Sequence, residues 1–199
     1  ANEVPPVTGI AASGGATVWL HLVRNSSGEV IRATTEFQVS YRFDTPTNIT
    51  AMHIHSGAAG ANGPVVIDSA VTRVDGATAG ALPALQMFNA AGSAGLEAVK
   101  GILANPSGYY LNMHSTANPA GVIRGQLQKA EMAVRVARIN PGNEVPPVTT
   151  VSGEGWGTIV AIRSVDAVGN TTSAQVLFDV TYALPADQTI TAMHLHEAG

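Results

Sequence analysis

The chain contains two copies of one sequence pattern, and this repeat is the strongest constraint on its fold. The heptapeptide NEVPPVT begins at Asn2 and again at Asn143, an offset of 143 − 2 = 141 residues. The same offset relates His53 to His194, and the register holds without an insertion from Asn2 to Ala58. Self-similarity of this kind indicates that each copy is a structural unit with the same order of elements.

The two copies are incomplete in different ways. Alternating apolar residues in EMAVRVARI predict a half-buried strand before the second NEVPP, and the first copy has no such segment. The second copy has no counterpart of residues 59–128. We predict a first domain over residues 1–128, a linker with the first strand of the second unit over 129–141, and a partial second domain over 142–199. Either the sequence is an excerpt from a longer array, or neighbouring chains supply the missing strands.

Short apolar segments separated by glycine- and proline-rich turns predict an all-β fold. In the segment 33–43, Phe37, Val39 and Tyr41 alternate on one face. Further strands are predicted over 15–24, 49–55, 63–71, 108–115 and 121–128. We expect an antiparallel β-sandwich or Greek-key barrel, either superoxide-dismutase-like or immunoglobulin-like, with one short helix per unit.

One segment has the periodicity of a helix. Leu96, Val99 and Leu103 fall on one face of SAGLEAVKGILANP, and Asn105 followed by Pro106 marks its end. Two other segments are read as structural. The NEVPP motif is predicted to be a rigid extended lead into the sandwich, and Arg124 is predicted to cover a sheet edge or to pair with Asp68 or Glu36.

Composition excludes several classes of function. The chain has no cysteine, which removes disulfides, thiolate metal clusters and thiol catalysis. A net charge of −4 with only 12% charged residues leaves no basic stripe for nucleic acid. No segment approaches the roughly 18 consecutive apolar residues of a membrane-spanning helix.

Histidines are concentrated in two His-x-His pairs, which take four of the six histidines. Alternate residues on a strand share a face, so His53 and His55 point the same way while Met52 and Ile54 point the other way. His114 ends a strand with the same alternation. If the two strands are neighbours, three imidazoles converge, which suits copper or zinc.

The second pair, His194 and His196, has no equivalent of His114 in this sequence, so a partner would have to supply its third ligand. The alternative is that the histidines are outward polar residues bonded to the Ser56 hydroxyl and to the glycine-rich loop.

Long motifs in the chain resemble the CHRD domain, the repeat described in chordin and found in many bacterial secreted proteins. The motifs are NEVPPV, GATVWLHL, MHIHSGAAGANGPVVI and LANPSGYYLNMHSTANPAGVIRGQL. The resemblance covers Asn2–Leu127, with Met132–Gly199 as a partial second copy. It implies an extracellular, cell-surface or periplasmic location; animal members are associated with extracellular signalling antagonists.

A second resemblance is to copper–zinc superoxide dismutase, which also carries His-x-His on a β-sandwich. It implies that His53 and His55 match paired copper ligands, that His114 matches a third, and that Arg124 lies near the position of that family's active-site arginine. The chain departs from that family because residues 57–63 contain no histidine to bridge to zinc and because cysteines are absent.

The sequence therefore supports three functional hypotheses. The first is a secreted or surface structural or binding protein of tandem CHRD-like domains, which self-assembles into oligomers or filaments through strand or face pairing. The second is a copper- or zinc-binding protein, enzymatic only as a copper-dependent enzyme of the dismutase type. The third is an antagonist-like module that binds a secreted protein.

Overall fold

The longest strand, β2, organises the first repeat in the computed structural model, which describes residues 2–88, 90–165 and 168–197. Strand β2 covers Val30–Ser56 and pairs antiparallel with four other strands. These are β1 (Ala12–Arg24), β3 (Val65–Asp68), β4 (Val74–Phe88) and β5 (Tyr109–Ser115). Strand β6 (Ile123–Gln126) pairs with β5. The antiparallel all-β prediction is confirmed.

Alternation along β2 builds the core. Phe37, Val39 and Tyr41 are buried, as their spacing predicts, and in the second half of the strand Met52 and Ile54 are fully buried. Burial of each such large apolar side chain contributes about 1.5–3 kcal/mol. Residues of β1, β4 and α1 complete the same core.

Strand β2 does not break where the sequence predicts a turn. The DTPTN segment, residues 44–48, stays within the strand, and its pairing with β4 is irregular between Arg42 and Ile49. Pro46 has no N–H to donate, which places a proline at a bulge rather than in a regular ladder. The predicted turn is therefore an irregular stretch within β2. Along this stretch the pairing partners of β2 change from β1 and β4 to β5 and β3.

Strand β4 was not predicted from the sequence. Its residues VDGATAGALPALQMF are rich in alanine and glycine and contain a proline, so strand propensity is weak. Val39 of β2 nevertheless lies opposite Leu82 of β4. The strand forms because the backbone of β2 provides hydrogen-bond partners along its edge.

Helix α1 covers Ala94–Ala104 and confirms the predicted helix. The Ser93 hydroxyl accepts a hydrogen bond from the Leu96 backbone N–H at 3.3 Å and caps the first turn. The buried face differs from the predicted one by a residue. Leu96 and Val99 are buried, but Ile102 takes the place of Leu103, which is 42% exposed.

Residues 129–199 form a second compact unit. Its antiparallel strands are β7 (Ala130–Ile139), β8 (Glu154–Val165) and β9 (Thr171–Ala183), in the order β7-β8-β9. Strand β7 confirms the strand predicted before the second NEVPP, but Met132, Val134 and Val136 are exposed rather than half-buried. The described part of this unit contains no α-helix.

Across the described residues of both units, no helix is long and apolar enough to cross a membrane.

The repeat allows a matched test of the core. Phe37 is 0% exposed, whereas Phe178, its counterpart in the second repeat, is 46% exposed. Phe37→Ala is expected to lower the free energy of unfolding of the first repeat by about 3–5 kcal/mol, because it leaves a cavity. Phe178→Ala is expected to cost the second repeat about 1 kcal/mol or less. Urea unfolding, followed through NMR signals of each repeat, measures both free energies of unfolding. Equal losses of stability in the two variants would contradict the prediction that only Phe37 is a core residue.

Candidate metal centre

Pairing of β2 with β5 brings three histidines together. His53 lies opposite Asn112, and Ala51 lies opposite His114, so His114 is diagonal to His53 on the same face. The ring centroids are 5.7 Å apart for His53 and His55, 4.8 Å for His53 and His114, and 5.4 Å for His55 and His114. One nitrogen from each ring lies within 4.8 Å of the others. The adjacency expected from the sequence is confirmed.

This face of the strands is covered, not outward. His55 is 8% exposed and His114 is 7% exposed. This burial contradicts the alternative interpretation, as outward polar residues, for His55 and His114. Its expected contact with the glycine-rich loop is present, because His55 bonds to Gly63, but the bond expected to the Ser56 hydroxyl is not among the contacts of His55.

Hydrogen bonds fix the tautomers of two rings. His55 Nδ1 lies 3.0 Å from the Gly63 carbonyl oxygen, and His114 Nδ1 lies 3.0 Å from the Pro119 carbonyl oxygen. A carbonyl oxygen only accepts, so each Nδ1 carries its hydrogen and donates it. In the neutral rings both Nε2 atoms are therefore unprotonated, which is the form that binds metal ions.

The two free nitrogens face each other. His55 Nε2 lies 3.3 Å from His114 Nε2. Two lone pairs at this distance repel unless a proton or a cation lies between them. Nitrogens bound at about 2.0–2.1 Å to one tetrahedral ion are separated by about 3.3 Å. The observed spacing thus fits two ligands of a single metal ion.

His53 offers the third nitrogen. Its Nδ1 is buried and has no hydrogen-bond partner. Its Nε2 lies 3.6 Å from Asp68 Oδ1, on the neighbouring strand β3. A carboxylate next to Nε2 favours the hydrogen on that nitrogen and leaves Nδ1 with a lone pair. An unpartnered buried nitrogen in a histidine cluster is the atom that a metal ion would satisfy.

Burial favours the neutral forms of His53 and His114. It lowers the pKa of His114, against the opposing bond to Pro119, and the neighbouring rings of His53 and His55 lower it further. Burial also lowers the pKa of His53, although Asp68 acts in the opposite direction. A proton on either of these two rings is therefore disfavoured, and neutral imidazole is the form that binds metal ions.

Two residues that the sequence did not single out hold His55 in place. The Tyr110 ring stacks on His55, with centroids 5.0 Å apart and planes at 11°. The Tyr110 hydroxyl accepts the Gly63 N–H at 3.2 Å, and Gly63 is the residue whose carbonyl binds His55. A Cβ at Gly63 would lie 1.6 Å from the Ser56 carbonyl oxygen, so only glycine fits. The sequence already indicated that Tyr110 lies near the histidines, because it shares a strand face with Asn112 and His114. No sequence pattern indicated the role of Gly63.

The second His-x-His pair is not assembled in this way. His194 and His196 lie in a segment without strand structure, with ring centroids 5.9 Å apart. In the part of the chain that the structure describes, the only group of three or more metal-binding side chains close enough to share an ion is His53, His55 and His114. A metal site at His194 and His196 stays a prediction.

Arg124 does not pair with Asp68 or Glu36. It is 5% exposed and donates to Asn62 Oδ1 at 3.0 Å and to the Ala61 carbonyl at 2.9 Å. Its guanidinium covers the Tyr110 ring, 3.5 Å from the centroid. The predicted edge residue is thus part of the shell around the histidines.

The NEVPP motif does more than lead into the sheet. Glu3 is 6% exposed and lies beside Arg124 and Asn112. Burial raises the pKa of Glu3, although Arg124 and the Asn112 side chain act in the opposite direction. Glu3 Oε1 and Asn112 Oδ1 are buried without a partner, and both side chains converge on Gly121.

Comparison with known families agrees with the motifs in the sequence. The CHRD domain family matches residues 1–127. The chain belongs to the CHRD domain family. No curated protein and no solved structure matches the chain significantly, so the likeness to copper–zinc superoxide dismutase stays a hypothesis. Membership of the CHRD family indicates a binding or structural domain of the secreted type.

The buried Glu3 carboxyl predicts a pH dependence. Because its pKa is raised in the folded state, the stability it contributes is present below its unfolded pKa and is lost as pH rises through the folded pKa. Glu3→Gln is expected to remove this loss and to stabilise the first repeat at neutral pH. Glu3→Ala should cost about 1–3 kcal/mol, because it removes the buried group that interacts with Arg124 and with the Asn112 side chain. Urea unfolding at pH 4 and pH 7 measures the stability of both variants. If Glu3→Gln kept the pH dependence of the wild type, Glu3 would not be the group that causes it.

Proposed function

We propose that the first repeat is a metal-binding CHRD domain, with His53, His55 and His114 as ligands of one transition-metal ion. The observation that carries this proposal is the 3.3 Å approach of His55 Nε2 to His114 Nε2. Both rings donate their only N–H to a backbone carbonyl, so nothing in the neutral protein relieves the contact between their lone pairs. A cation bound between them does.

The donor set selects the class of metal. Three neutral imidazoles suit copper or zinc, and hard cations such as Mg²⁺ and Ca²⁺ prefer oxygen ligands. Three protein ligands also leave a coordination position for water, substrate or a side chain of a partner. When bound, copper supplies one-electron chemistry, and zinc supplies a Lewis acid. A dismutase-type activity belongs to the copper case alone.

The surroundings of the ligands fit this role. Gly63 and Pro119 carbonyls orient two rings, and the Asp68 carboxylate lies 3.6 Å from Nε2 of the third, His53. Such outer partners fix the ring planes and raise the basicity of the ligands. Burial of His55 and His114 restricts access of water to the ion.

Metal content and affinity test the proposal. The full chain, stripped of metal and titrated with Cu²⁺ and with Zn²⁺, is expected to bind one equivalent tightly. Alanine variants of His53, His55 and His114 should each lose this stoichiometric binding. Saturation at 100 times the dissociation constant should stabilise the first repeat by about 2.7 kcal/mol. Elemental analysis and thermal unfolding measure these effects.

Two controls separate the site from histidines elsewhere. His21 is exposed and pairs with Glu36, so His21→Ala should bind metal as the wild type does. The double variant of His194 and His196 should also keep the one tight equivalent. Absence of tight binding in the wild type, or equal binding in the His114→Ala variant, would contradict the proposal.

A second proposed function is self-association through the second repeat, which would make the protein a structural element of a larger assembly. Phe178 and Tyr182 are 46% and 62% exposed, whereas their counterparts Phe37 and Tyr41 are 0% and 8% exposed. In the first repeat β4 and α1 add to the core that holds these residues, and the described part of the second repeat has no equivalent of either element. Exposed apolar side chains and strand edges favour pairing with another chain.

Sedimentation velocity over a range of concentrations tests this second function. The wild type is expected to form dimers or larger species, and Phe178→Gln should shift the population towards monomer. Val23→Gln is the matched control, because Val23 is exposed to a similar degree, 44%, on the first repeat. A wild-type monomer at every concentration would contradict self-association.

A location outside the cytoplasm is proposed on the basis of the family, whose domains are typical of secreted proteins. A role as an antagonist of a secreted protein remains a hypothesis from the resemblance to chordin.

A further inference from the structure

The N-terminal arm, defined as Asn2–Pro6, is bound to the shell around the histidines. Asn2 Nδ2 donates to the Arg124 carbonyl at 3.3 Å, and the Val4 carbonyl accepts from Asn62 Nδ2 at 2.6 Å. Glu3 is buried beside Arg124 and Asn112. The arm therefore contacts the glycine-rich loop and β6 at once.

Arg124 joins the arm to Tyr110. One side of the guanidinium is fixed by Asn62 and by the Ala61 carbonyl, both in the glycine-rich loop. Its plane lies over the Tyr110 ring at 3.5 Å. A cation on an aromatic face is attracted more strongly when both groups are desolvated, as they are here. Displacement of the arm would remove the Glu3 carboxyl from beside Arg124 and would free Asn62 from its bond to the Val4 carbonyl.

Tyr110 in turn holds His55 by two routes. The ring stacks on the imidazole, and the hydroxyl fixes Gly63, whose carbonyl selects the tautomer of His55. The contacts from the arm to His55 are therefore continuous: arm to Asn62 and Arg124, Arg124 to Tyr110, and Tyr110 to His55.

We propose that the N-terminal arm is a positioning element of the metal site, acting through Asn62, Arg124 and Tyr110 on His55. The inference rests on the proposed metal function. It adds that docking of the arm sets the metal affinity of the site. Because coupling between two sites is reciprocal, a docked arm raises metal affinity and a bound metal strengthens docking of the arm. The arm touches no ligand directly, so its effect is on orientation.

The second repeat supplies a matched control within the same chain. It carries the identical NEVPP sequence at residues 143–147, and there Val145 is 96% exposed. The described part of that repeat has no counterpart of Arg124 or Tyr110. Glu144→Ala therefore makes the same chemical change as Glu3→Ala, away from any equivalent shell.

Competition titrations of the full chain with Cu²⁺ and with Zn²⁺ test the proposal. Glu3→Ala and Asn62→Ala are expected to weaken metal binding by up to about 10-fold, the lower end of the effect of losing a direct partner of a ligand, because they act through Arg124 and Tyr110. Glu144→Ala should leave the affinity unchanged. Tyr110→Leu should weaken binding as much as the arm variants do, whereas Tyr110→Phe keeps the stacked ring and should recover most of the affinity. Equal affinities in wild type, Glu3→Ala and Tyr110→Leu would overturn the inference.

A second measurement needs no variant and so does not depend on whether one folds. Hydrogen exchange of the wild type, with and without one equivalent of Zn²⁺, should show slower exchange at Glu3, Val4 and Gly63 when metal is bound. Unchanged exchange at Glu3 and Val4, in a protein that binds metal, would overturn the role of the arm while leaving the metal site intact. A wild type that binds no metal would overturn both, and metal content distinguishes the two failures.

Discussion

Antiparallel pairing between the end of β2 and β5 is the interaction on which the rest of the structure depends. This pairing buries Met52, Ile54 and Met113 in the core. On the opposite face it brings His53, His55 and His114 together. The alternation of a strand thus divides one short ladder into a hydrophobic side, which stabilises the fold, and a side of polar residues available for chemistry.

The importance of this pairing is visible in the second repeat. The sequence ITAMH is present in both copies, followed by Ile54 in one and Leu195 in the other. In the first repeat it is part of β2, between β3 and β5, whereas in the second it has no strand structure. Strand formation here depends on a paired neighbour more than on intrinsic propensity. The potential metal ligands are therefore organised by tertiary structure.

Burial gives the histidine cluster the unsatisfied nitrogens on which the proposed metal site rests. A buried polar group without a partner is costly, and the cluster has an unpartnered nitrogen on His53 and two opposed nitrogens on His55 and His114. The surrounding residues reduce the freedom of the rings to relieve this by rotation. Tyr110, Gly63 and Asp68 each contact one ring or its hydrogen-bond partner. The cost is retained in the folded protein, where a metal ion can offset it.

Periodicity predicted much of this organisation. The alternating strands, the helix over Ala94–Ala104 and the convergence of the three histidines could all be read from residue spacing. Strand β4 could not, because its alanine- and glycine-rich sequence has no strand signal and forms against β2. The burial of the polar face was also missed. Glu3 and Arg124 are far apart in sequence, and only the folded chain shows that the NEVPP arm covers that face.

Anomalous X-ray diffraction from crystals of the full chain grown with one equivalent of Zn²⁺ or Cu²⁺ is the most direct test of the metal site. The account predicts one dominant peak about 2.0–2.1 Å from a nitrogen of each of His53, His55 and His114. A dominant peak elsewhere, for example at His194 and His196, with none among these three histidines, would contradict it.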